Sequence, residues 1–336
     1  MATLRDVANR AGVSIGSVSA VINRTAPVSA TLRQRVLAAI EELGYAPDGV
    51  ARSLKTGRTR TVGLIIPDIT NPLFAALASA VEQSCDAAGY TLVLCATADD
   101  PDKELRHLQL MRTQRADGII LVPNGIQPGN VEAIRRLIRV PTVLVDRTLQ
   151  GLAEFDWVTL DNRAAARMAV EYLVRSGHRR IGIVTGRPGI SISTERLEGY
   201  REALEGTGIG FDEGLAACGA FHIDTAIKAT ATLLHRHPRP TAIFSTSNLT
   251  TIGVMRAITE QGFRCPKDIS VTGIDDFEWS AAFSPGLTAV VQPIQAIGER
   301  AVERLLARID GRVAAAPSRD VFAPQLVVRD SCRVIA

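Results

Sequence analysis

Residues 3–23 read TLRDVANRAGVSIGSVSAVIN, a pattern typical of two short helices joined by a tight turn. Thr3 is a good N-cap with Asp6 three residues later, and Gly12 ends the first helix. Ser14 then caps a second helix. The apolar positions recur at helical spacing, at Leu4, Val7, Ala8, Val18, Val21 and Ile22. Two short helices that meet at a glycine-containing turn predict a helix-turn-helix.

A third amphipathic helix follows. Ser29 can cap it, Gly44 can end it, and one apolar stripe connects them, formed by Leu32, Val36, Ile40 and Leu43. Three such helices within about 45 residues can bury one small core. A three-helix bundle that only packs, and binds nothing, is the alternative.

Basic residues are concentrated at the start of the chain. The first 60 residues hold nine Lys or Arg and four Asp or Glu, a net charge of +5, whereas the whole chain carries +3. The other 276 residues therefore sum to −2. A small basic head on a slightly acidic body favours a polyanionic partner such as DNA. A solvated basic face without a partner is the alternative that charge alone leaves open.

The second helix is the element expected to enter the major groove, because the N-terminal residues of a recognition helix project toward base edges. Its hydroxyl side chains suit phosphate contacts, at Ser14, Ser17 and Ser19. The positions among them carry side chains that cannot hydrogen-bond to a base, namely Ile15, Gly16 and Ala20. Only apolar contacts remain there, for instance with thymine methyl groups.

From Thr61 onward, short β-branched runs alternate with helical stretches, as in buried parallel strands. The runs are Val62–Ile66, Thr91–Leu94, Gly118–Val122, Pro141–Val145, Arg180–Val184, Thr241–Phe244 and Ile269–Val271. The sequence thus predicts a small all-α helix-turn-helix domain followed by an α/β body. That body would consist of two doubly wound parallel-sheet lobes, each with its ligand edge at the carboxyl ends of the strands.

Many ordered motifs carry a family resemblance. They are Thr3–Ala8, Ala11–Ser14, Ser17–Ser19, Val21–Asn23, Glu42–Tyr45 with Pro47, Val50–Leu54, Thr56-Gly57, Gly177–Ile181, Arg196–Tyr200, Gly273–Asp276 and Val327–Arg329. With them the chain resembles the LacI/GalR family of bacterial transcription regulators along its whole length. Its body resembles the type I periplasmic binding-protein fold. It departs from the family in the second helix, where many members place larger polar or aromatic side chains.

The resemblance implies a DNA-binding head at residues 1–47, a hinge at 48–60 and an effector-binding and dimerisation body at 61–336. It also implies that the hinge pairs with its twin in a dimer and that Leu54 enters the minor groove, where an apolar wedge kinks the duplex. A flexible basic linker is the alternative. The expected DNA contacts are Thr3, Ser14, Ile15, Gly16, Ser17, Ser19, Ala20, Asn23, Val50, Ser53, Leu54 and Lys55.

Family topology also divides the body between its lobes. The first lobe is expected to hold residues 61–160 and 290–318, and the second 161–289 and 319–336. The chain would return to the first lobe near Thr288–Asp310, and the last strand, about Asp320–Val328, would lie in the second.

Residues at or just past strand ends match family positions at or close to the effector, and two aromatic rings add apolar faces. The expected effector contacts are Asp68, Asn71, Phe74, Asp146, Arg147, Arg196, Phe221, Ser247, Asp275 and Trp279. Carboxylates and arginines between aromatic walls suit a polyhydroxylated ligand such as a sugar. Asn71 and Asp146 could instead be helix caps, the arginines could pair with carboxylates, and the rings could belong to the core. Ser247-Asn248 replaces the Asn-Asp of many members, which leaves the ligand open, while Ile190 and Ile192 argue against a nucleobase.

We therefore expect a transcription regulator, most simply a repressor, whose operator affinity is controlled by a small molecule bound between the lobes. An intracellular sugar-binding protein without specific operator recognition is the alternative. An enzyme is not expected, because the G-x-S-x-G motif at Gly12–Gly16 follows a helix where a nucleophile elbow requires a strand. No cofactor or metal is expected.

Compartment and assembly follow from what the sequence contains. No apolar run approaches the roughly 18 residues that span a bilayer, and the first ten residues carry charges where a signal peptide is apolar. The five scattered cysteines, without C-x-x-C, indicate free thiols. We expect a cytoplasmic bacterial protein, on the nucleoid when bound to DNA. Without a C-terminal heptad repeat, a homodimer is expected rather than a tail-assembled tetramer.

Overall fold

The chain divides into two compact units, a head at residues 1–59 and a body at 60–336. The computed structural model describes residues 2–23, 26–45, 57–125, 130–282, 284–312 and 316–335. Four of the predicted DNA contacts lie outside the described residues, namely Val50, Ser53, Leu54 and Lys55.

Three helices build the head, α1 (Leu4–Ala11), α2 (Ile15–Asn23) and α3 (Ala30–Leu43). Their predicted caps are confirmed. The Thr3 hydroxyl accepts the Asp6 amide at 3.3 Å, and the Asp6 carboxylate accepts the Thr3 amide at 2.8 Å. Ser14 Oγ accepts the Ser17 amide at 3.1 Å, and Ser29 caps α3 in the same way. These hydrogen bonds satisfy amides that have no partner inside a helix.

An arginine ties the turn between α1 and α2 to α3. Gly12 ends α1 in the left-handed conformation, at φ 62°, and the last carbonyls of α1 have no helical donors. Arg35 Nη2 donates to the carbonyl oxygen of Ala11 at 2.5 Å and to that of Gly12 at 3.2 Å. The three helices share one core, formed by Val7, Ala8, Ala11, Val18, Val21, Val36 and Ala39. The direction in which α2 leaves the turn thus depends on this guanidinium as well as on apolar packing.

The first lobe has a six-stranded parallel sheet. Its strands are β1 (Thr61–Ile66), β2 (Thr91–Ala96), β3 (Gly118–Leu121), β4 (Thr142–Val145), β5 (Asp156–Leu160) and β11 (Arg319–Phe322), in the order β11-β5-β4-β3-β1-β2. Helices α4 (Pro72–Ala87) and α11 (Ile294–Ile309) cover one face, and α5 (Pro101–Thr113) and α6 (Asn130–Leu137) cover the other. Alternate strand residues supply the two cores, so that Leu64 and Ile66 pack with α4 while Ile65 packs with α5.

The second lobe repeats this architecture. Its strands are β6 (Ile181–Thr185), β7 (Ala216–Cys218), β8 (Ala242–Ser245), β9 (Ser270–Ile274), β10 (Thr288–Val291) and β12 (Gln325–Val327), in the order β12-β10-β9-β8-β6-β7. Only β12 is antiparallel to its neighbour. Helices α7 (Asn162–Arg175) and α8 (Ser191–Glu205) cover one face, and α9 (Ile223–Leu234) and α10 (Asn248–Glu260) the other. Short 3-10 helices lie at Glu213–Leu215 and at Glu278–Ala282.

All seven strands predicted from the β-branched runs are present, and the α/β lobes are confirmed. Among the described helices, none is both long and apolar enough to cross a membrane.

The end of the chain departs from the prediction of one strand in the second lobe. Two short strands form instead, because β11 pairs with β5 in the first lobe and β12 pairs with β10 in the second. A buried carboxylate explains the first pairing. Asp156, at the start of β5, accepts Arg308 of α11 at 2.7 Å and the amide of Ser318 at 2.6 Å. The strand at Thr288–Val291 also stays in the second lobe, so the return to the first lobe begins only with α11.

We expect Arg35→Ala to loosen the turn of the head. The variant leaves two carbonyl oxygens without their charged donor, which costs about 1–2 kcal/mol for a partly exposed hydrogen bond. Hydrogen exchange of the full-length protein should accelerate about fivefold or more in peptides that cover α1 and α2. Arg33→Ala, on the exposed face of α3, is the control. Equal exchange in both variants would remove Arg35 from the turn.

Candidate functional site

The first turn of α2 is the candidate contact surface of the head. Of the predicted contacts, Thr3, Ser14, Ile15 and Gly16 are exposed, and Ser17, Ser19 and Ala20 are half-buried. The hydroxyls of Ser14 and Ser17 lie 2.9 Å apart, and Ser14 Oγ also accepts the Ser17 amide at 3.1 Å. Ile15 is 41% exposed and takes no part in the core of the head. The long side chain that this turn exposes, Ile15, is therefore apolar. The side chain of Asn23, another predicted contact, lies outside the described residues.

The candidate effector site is the cleft between the two lobes of the body. The carboxyl ends of the parallel strands meet there, and three predicted contacts lie at these ends in the left-handed conformation. Their φ angles are 66° at Asp146, 75° at Asp275 and 61° at Phe221. Residues other than glycine rarely adopt this conformation, and such strain is concentrated at binding sites.

The first lobe contributes a carboxylate, a guanidinium and a ring. Arg147 is 4% exposed, and its guanidinium lies 5.7 Å from the centre of the Phe74 ring. Its Nη1 donates to the carbonyl of Pro123 at 3.3 Å and to Asp99 at 3.4 Å. Its Nε lies 3.6 Å from Oδ2 of Asp146, and neither atom has a hydrogen-bond partner among the described residues. Two buried polar atoms of this lobe thus remain available.

The second lobe contributes a guanidinium and a hydroxyl group, which also have unpartnered polar atoms. Arg196 is 1% exposed; its Nε donates to Asn162 at 2.8 Å and its Nη1 to the carbonyl of Thr246 at 2.5 Å. Its Nη2 and the hydroxyl of Ser193 have no hydrogen-bond partner among the described residues. A ring closes this side, since a Cβ placed on Gly186 would lie 2.0 Å from the Phe221 ring. Glycine is therefore required where the ring crosses the end of β6.

Asp275 accepts hydrogen bonds from the side chain of Gln292 and from the backbone of Asn248. Its Oδ1 accepts Gln292 Nε2 at 2.5 Å, and its Oδ2 accepts the amide of Asn248 at 3.3 Å. Asn248 Nδ2 donates across the cleft to Asn71 Oδ1 at 2.7 Å. The same Asn71 oxygen accepts the Leu73 amide at 3.0 Å and caps α4. Asn71 is thus both a helix cap and a cleft residue, roles that the sequence left as alternatives.

The charges in the cleft are balanced. Burial raises the pKa of Asp146, which Arg147 and Arg196 lower and Asp275 raises. Each of these three groups therefore acts on the Asp146 carboxylate. Asp146, Asp275, Arg147 and Arg196 together have no net charge when all are ionised, which favours a neutral polar ligand.

Two predicted effector contacts take part in hydrogen bonds within their own segments. Ser247 caps α10, and its hydroxyl lies 2.9 Å from that of Thr250. Asp68 is half-buried, and its carboxylate accepts the amide and hydroxyl of Thr70 at 2.8 Å. The side chain of Trp279 lies outside the described residues. Among these, Ser247 has the clearest structural role, and its neighbour Asn248 is the residue that reaches the cleft.

Several cleft residues were missed by the sequence analysis, namely Asn248, Gln292, Ser193, Asn162 and Asn124. Gln292 directly follows β10, and Asn124 follows β3 by a few residues, so their position just past strand ends was a usable signal. Gln292 was overlooked because the segment that contains it, Thr288–Asp310, was expected to return to the first lobe.

A buried carboxylate holds the loop after β3 on the first-lobe side of the cleft. Glu104 of α5 is 1% exposed and accepts the Asn124 amide at 2.8 Å. Burial raises the pKa of Glu104 to about 7, although the hydrogen bond from Asn124 and the charge of Arg147 lower it. Asn124 also accepts the Thr97 hydroxyl at 2.8 Å and donates to the Asp100 carbonyl at 3.0 Å. The loop after β3 is thereby fixed to its own lobe.

Two family models match the chain. One, described as bacterial regulatory proteins of the lacI family, matches residues 3–48, and the other, a periplasmic binding protein-like domain, matches residues 170–332. Among curated relatives, the HTH-type transcriptional repressor PurR of Vibrio atlanticus (strain LGP32) is 37% identical over 92% of both chains. The ribose operon repressor of Escherichia coli (strain K12) is 37% identical over 92% of this chain and 93% of its own.

Solved structures are similar over the head and the body. The lac repressor dimer bound to operator and the anti-inducer ONPF has a TM-score of 0.87 at 27% identity, with 99% of both chains covered. The complex of the transcriptional regulator CelR with cellobiose has a TM-score of 0.75 at 32% identity, with 98% of this chain and 100% of the other covered.

We expect Glu104 to make stability depend on pH near neutrality. Its pKa rises from 4.5 to about 7 on folding, so the native protein keeps a proton that the unfolded chain releases. The stabilisation is complete below about pH 4.5 and is lost as the pH rises through 7, by up to about 3 kcal/mol at about 1.4 kcal/mol per pKa unit.

Urea unfolding at about pH 5 and pH 7.5 measures this effect. The free energy of unfolding should fall more for the natural protein than for Glu104→Gln, which retains an oxygen that can accept the Asn124 amide. The exposed Glu132→Gln should behave like the natural protein. Parallel pH profiles for all three proteins would contradict the assignment.

Proposed function

Because the chain belongs to the LacI family of bacterial transcription regulators, we propose that it represses transcription by binding operator DNA through its head. We further propose that a small neutral polyhydroxylated molecule such as a sugar controls that binding from the cleft. Its curated relatives are named as transcriptional repressors and not as enzymes.

One observation carries the effector proposal: four buried polar atoms on residues that we assign to the cleft, two from each lobe, have no hydrogen-bond partner among the described residues. They are Asp146 Oδ2, Arg147 Nε, Ser193 Oγ and Arg196 Nη2. A buried polar group without a partner costs about 1–3 kcal/mol, so this set favours a ligand that supplies both donors and acceptors. Sugar hydroxyls do both, and the rings of Phe74 and Phe221 suit the apolar faces of a sugar.

The relatives support the same class of ligand. Among the related structures, CelR is bound to cellobiose and the lac repressor to ONPG or ONPF, and one relative is a ribose operon repressor. The balanced charge of the cleft agrees with an uncharged ligand. An anionic or cationic effector would leave an unpaired charge in a buried site, which is unfavourable.

The proposed mechanism is a shift between two arrangements of the lobes. An effector that binds across the cleft prefers the closed arrangement, and the populations change by as much as its affinities for the two arrangements differ. In a homodimer, this shift would alter how the two heads reach their half-sites. A regulator of this kind works where the chromosome lies, which in bacteria is the cytoplasm.

Arg196→Ala should abolish the effector response and leave operator affinity unchanged. The variant removes a buried guanidinium with a free donor, and we expect effector affinity to fall about 100-fold or more. Calorimetry with a monosaccharide panel, followed by operator binding with and without the sugar that binds, measures both effects. Arg201→Ala is the control, because Arg201 lies on the same helix and stacks on Phe211. A retained response would place Arg196 outside the binding site.

Ile15 should contact the C5 methyl group of a thymine in each half-site. After an operator is selected from genomic fragments, deoxyuridine replaces each thymine in turn. Loss of one methyl contact costs about 0.8 kcal/mol, so affinity should fall about fourfold at one position per half-site. Ile15→Ala should bind more weakly and lose the sensitivity to that methyl group, while Leu37→Ala, an exposed residue of α3, should behave like the natural protein.

Either part of this experiment can fail separately. Specific binding without sensitivity to any methyl group would remove the thymine contact and leave the regulator intact. Failure to select any DNA sequence would instead favour a sugar-binding protein without operator recognition.

A further inference from the structure

Two loops from opposite lobes touch at the mouth of the cleft. Pro123–Gly125 follow β3 in the first lobe, and Gly186–Ile190 follow β6 in the second. Gly125 has φ 115°, and a Cβ placed on it would lie 3.3 Å from the carbonyl oxygen of Gly189. The backbones of the two lobes therefore approach each other closely here.

Arg187 crosses between these loops. Its Nη2 donates to the carbonyl oxygen of Asn124 at 2.9 Å and lies 3.5 Å from Oδ1 of Asp99, both in the first lobe. The same Asp99 oxygen accepts Arg147 Nη1 at 3.4 Å. One carboxylate oxygen thus joins an arginine of the cleft to an arginine of the opposite lobe.

The first-lobe side of this contact is rigid. Asn124 is held by Glu104, Thr97 and Asp100 of its own lobe, so its carbonyl oxygen has a fixed position whichever way the second lobe moves. The Arg187 side chain is 36% exposed and Asp99 is 24% exposed. Water can hydrate both Arg187 and Asp99 when the lobes separate. Breaking this contact therefore leaves no unpaired charge buried in the protein.

We propose that Arg187 is a cross-lobe positioning residue that latches the closed arrangement and slows the release of the effector. The proposal rests on the proposed effector cleft but concerns a residue that does not touch the ligand. Because Asp99 is shared, closure through Arg187 also holds the guanidinium of Arg147, whose Nε lies 3.6 Å from Asp146 Oδ2 and has no hydrogen-bond partner among the described residues. A hydrogen bond across the cleft that exists only in the closed arrangement stabilises that arrangement alone.

The chain offers a matched control. Arg180 also pairs with a carbonyl and a carboxylate, Pro238 at 2.6 Å and Asp212 at 3.1 Å, and it is similarly exposed. All three of these residues belong to the second lobe. Arg180→Ala therefore removes the same chemistry without touching a contact between lobes.

The first measurement needs no ligand. Hydrogen exchange of the full-length protein compares Arg187→Ala, Arg187→Lys and Arg180→Ala in peptides that cover residues 121–125 of the first lobe. We expect Arg187→Ala to accelerate exchange there, although the substitution lies in the other lobe. Arg187→Lys should restore part of the protection, and Arg180→Ala should leave it unchanged. Unchanged exchange at 121–125 in Arg187→Ala would overturn the latch.

The second measurement uses D-ribose, D-xylose, D-glucose and D-galactose as probes in stopped-flow binding. With a sugar that binds the natural protein, Arg187→Ala should raise the dissociation rate about tenfold and leave the association rate nearly unchanged. An equal dissociation rate would overturn the proposal. If no sugar binds the natural protein, the proposed effector class fails, and the exchange experiment alone decides whether Arg187 holds the lobes together.

Discussion

The direction of the parallel strands is the constraint on which the body depends. In both sheets the carboxyl ends point to the same cleft, so the residue after each strand must turn away from the sheet and present its side chain to the space between the lobes. Asp146 and Asp275 do so in the left-handed backbone conformation, which residues other than glycine rarely adopt. The cores on both faces of each sheet hold these turns in place, because four helix layers pack on sheets whose strands β1, β3, β4, β6, β8 and β9 are almost entirely buried.

Much of this architecture was predictable because its causes are local. Continuous β-branched runs identify strands that are buried on both faces, and the caps Thr3, Ser14 and Ser29 act within three residues of themselves. The split of the last strand was not predictable, since β11 is placed by a hydrogen bond between Ser318 and Asp156, which are far apart in sequence. The choice between Ser247 and Asn248 depended on which of two adjacent side chains faces its own helix, and only packing decides that.

Some buried polar atoms in the cleft have no hydrogen-bond partner among the described residues, while the polar atoms next to them are hydrogen-bonded. Arg196 has two donors engaged in its own lobe, which fixes the orientation of the remaining donor, and Asp275 is oriented by Gln292 and by the amide of Asn248. Such preorganisation lowers the entropy cost of binding, because the protein does not have to order these side chains when a ligand arrives. The same logic extends to the mouth of the cleft, where hydrogen bonds within the first lobe hold the Asn124 carbonyl that accepts Arg187 of the second lobe.

The two short strands near the end of the chain have a consequence for synthesis on the ribosome. The polypeptide passes between lobes after β5, after β10 and again between β11 and β12, so each sheet receives an edge strand only when the last tenth of the chain has emerged. The head, by contrast, precedes the body in the chain and has a core of its own. During translation there is thus an interval in which a DNA-binding unit exists without a finished sensor. A chain that ends before β12 would contain the complete core of the head but a second-lobe sheet without that edge strand.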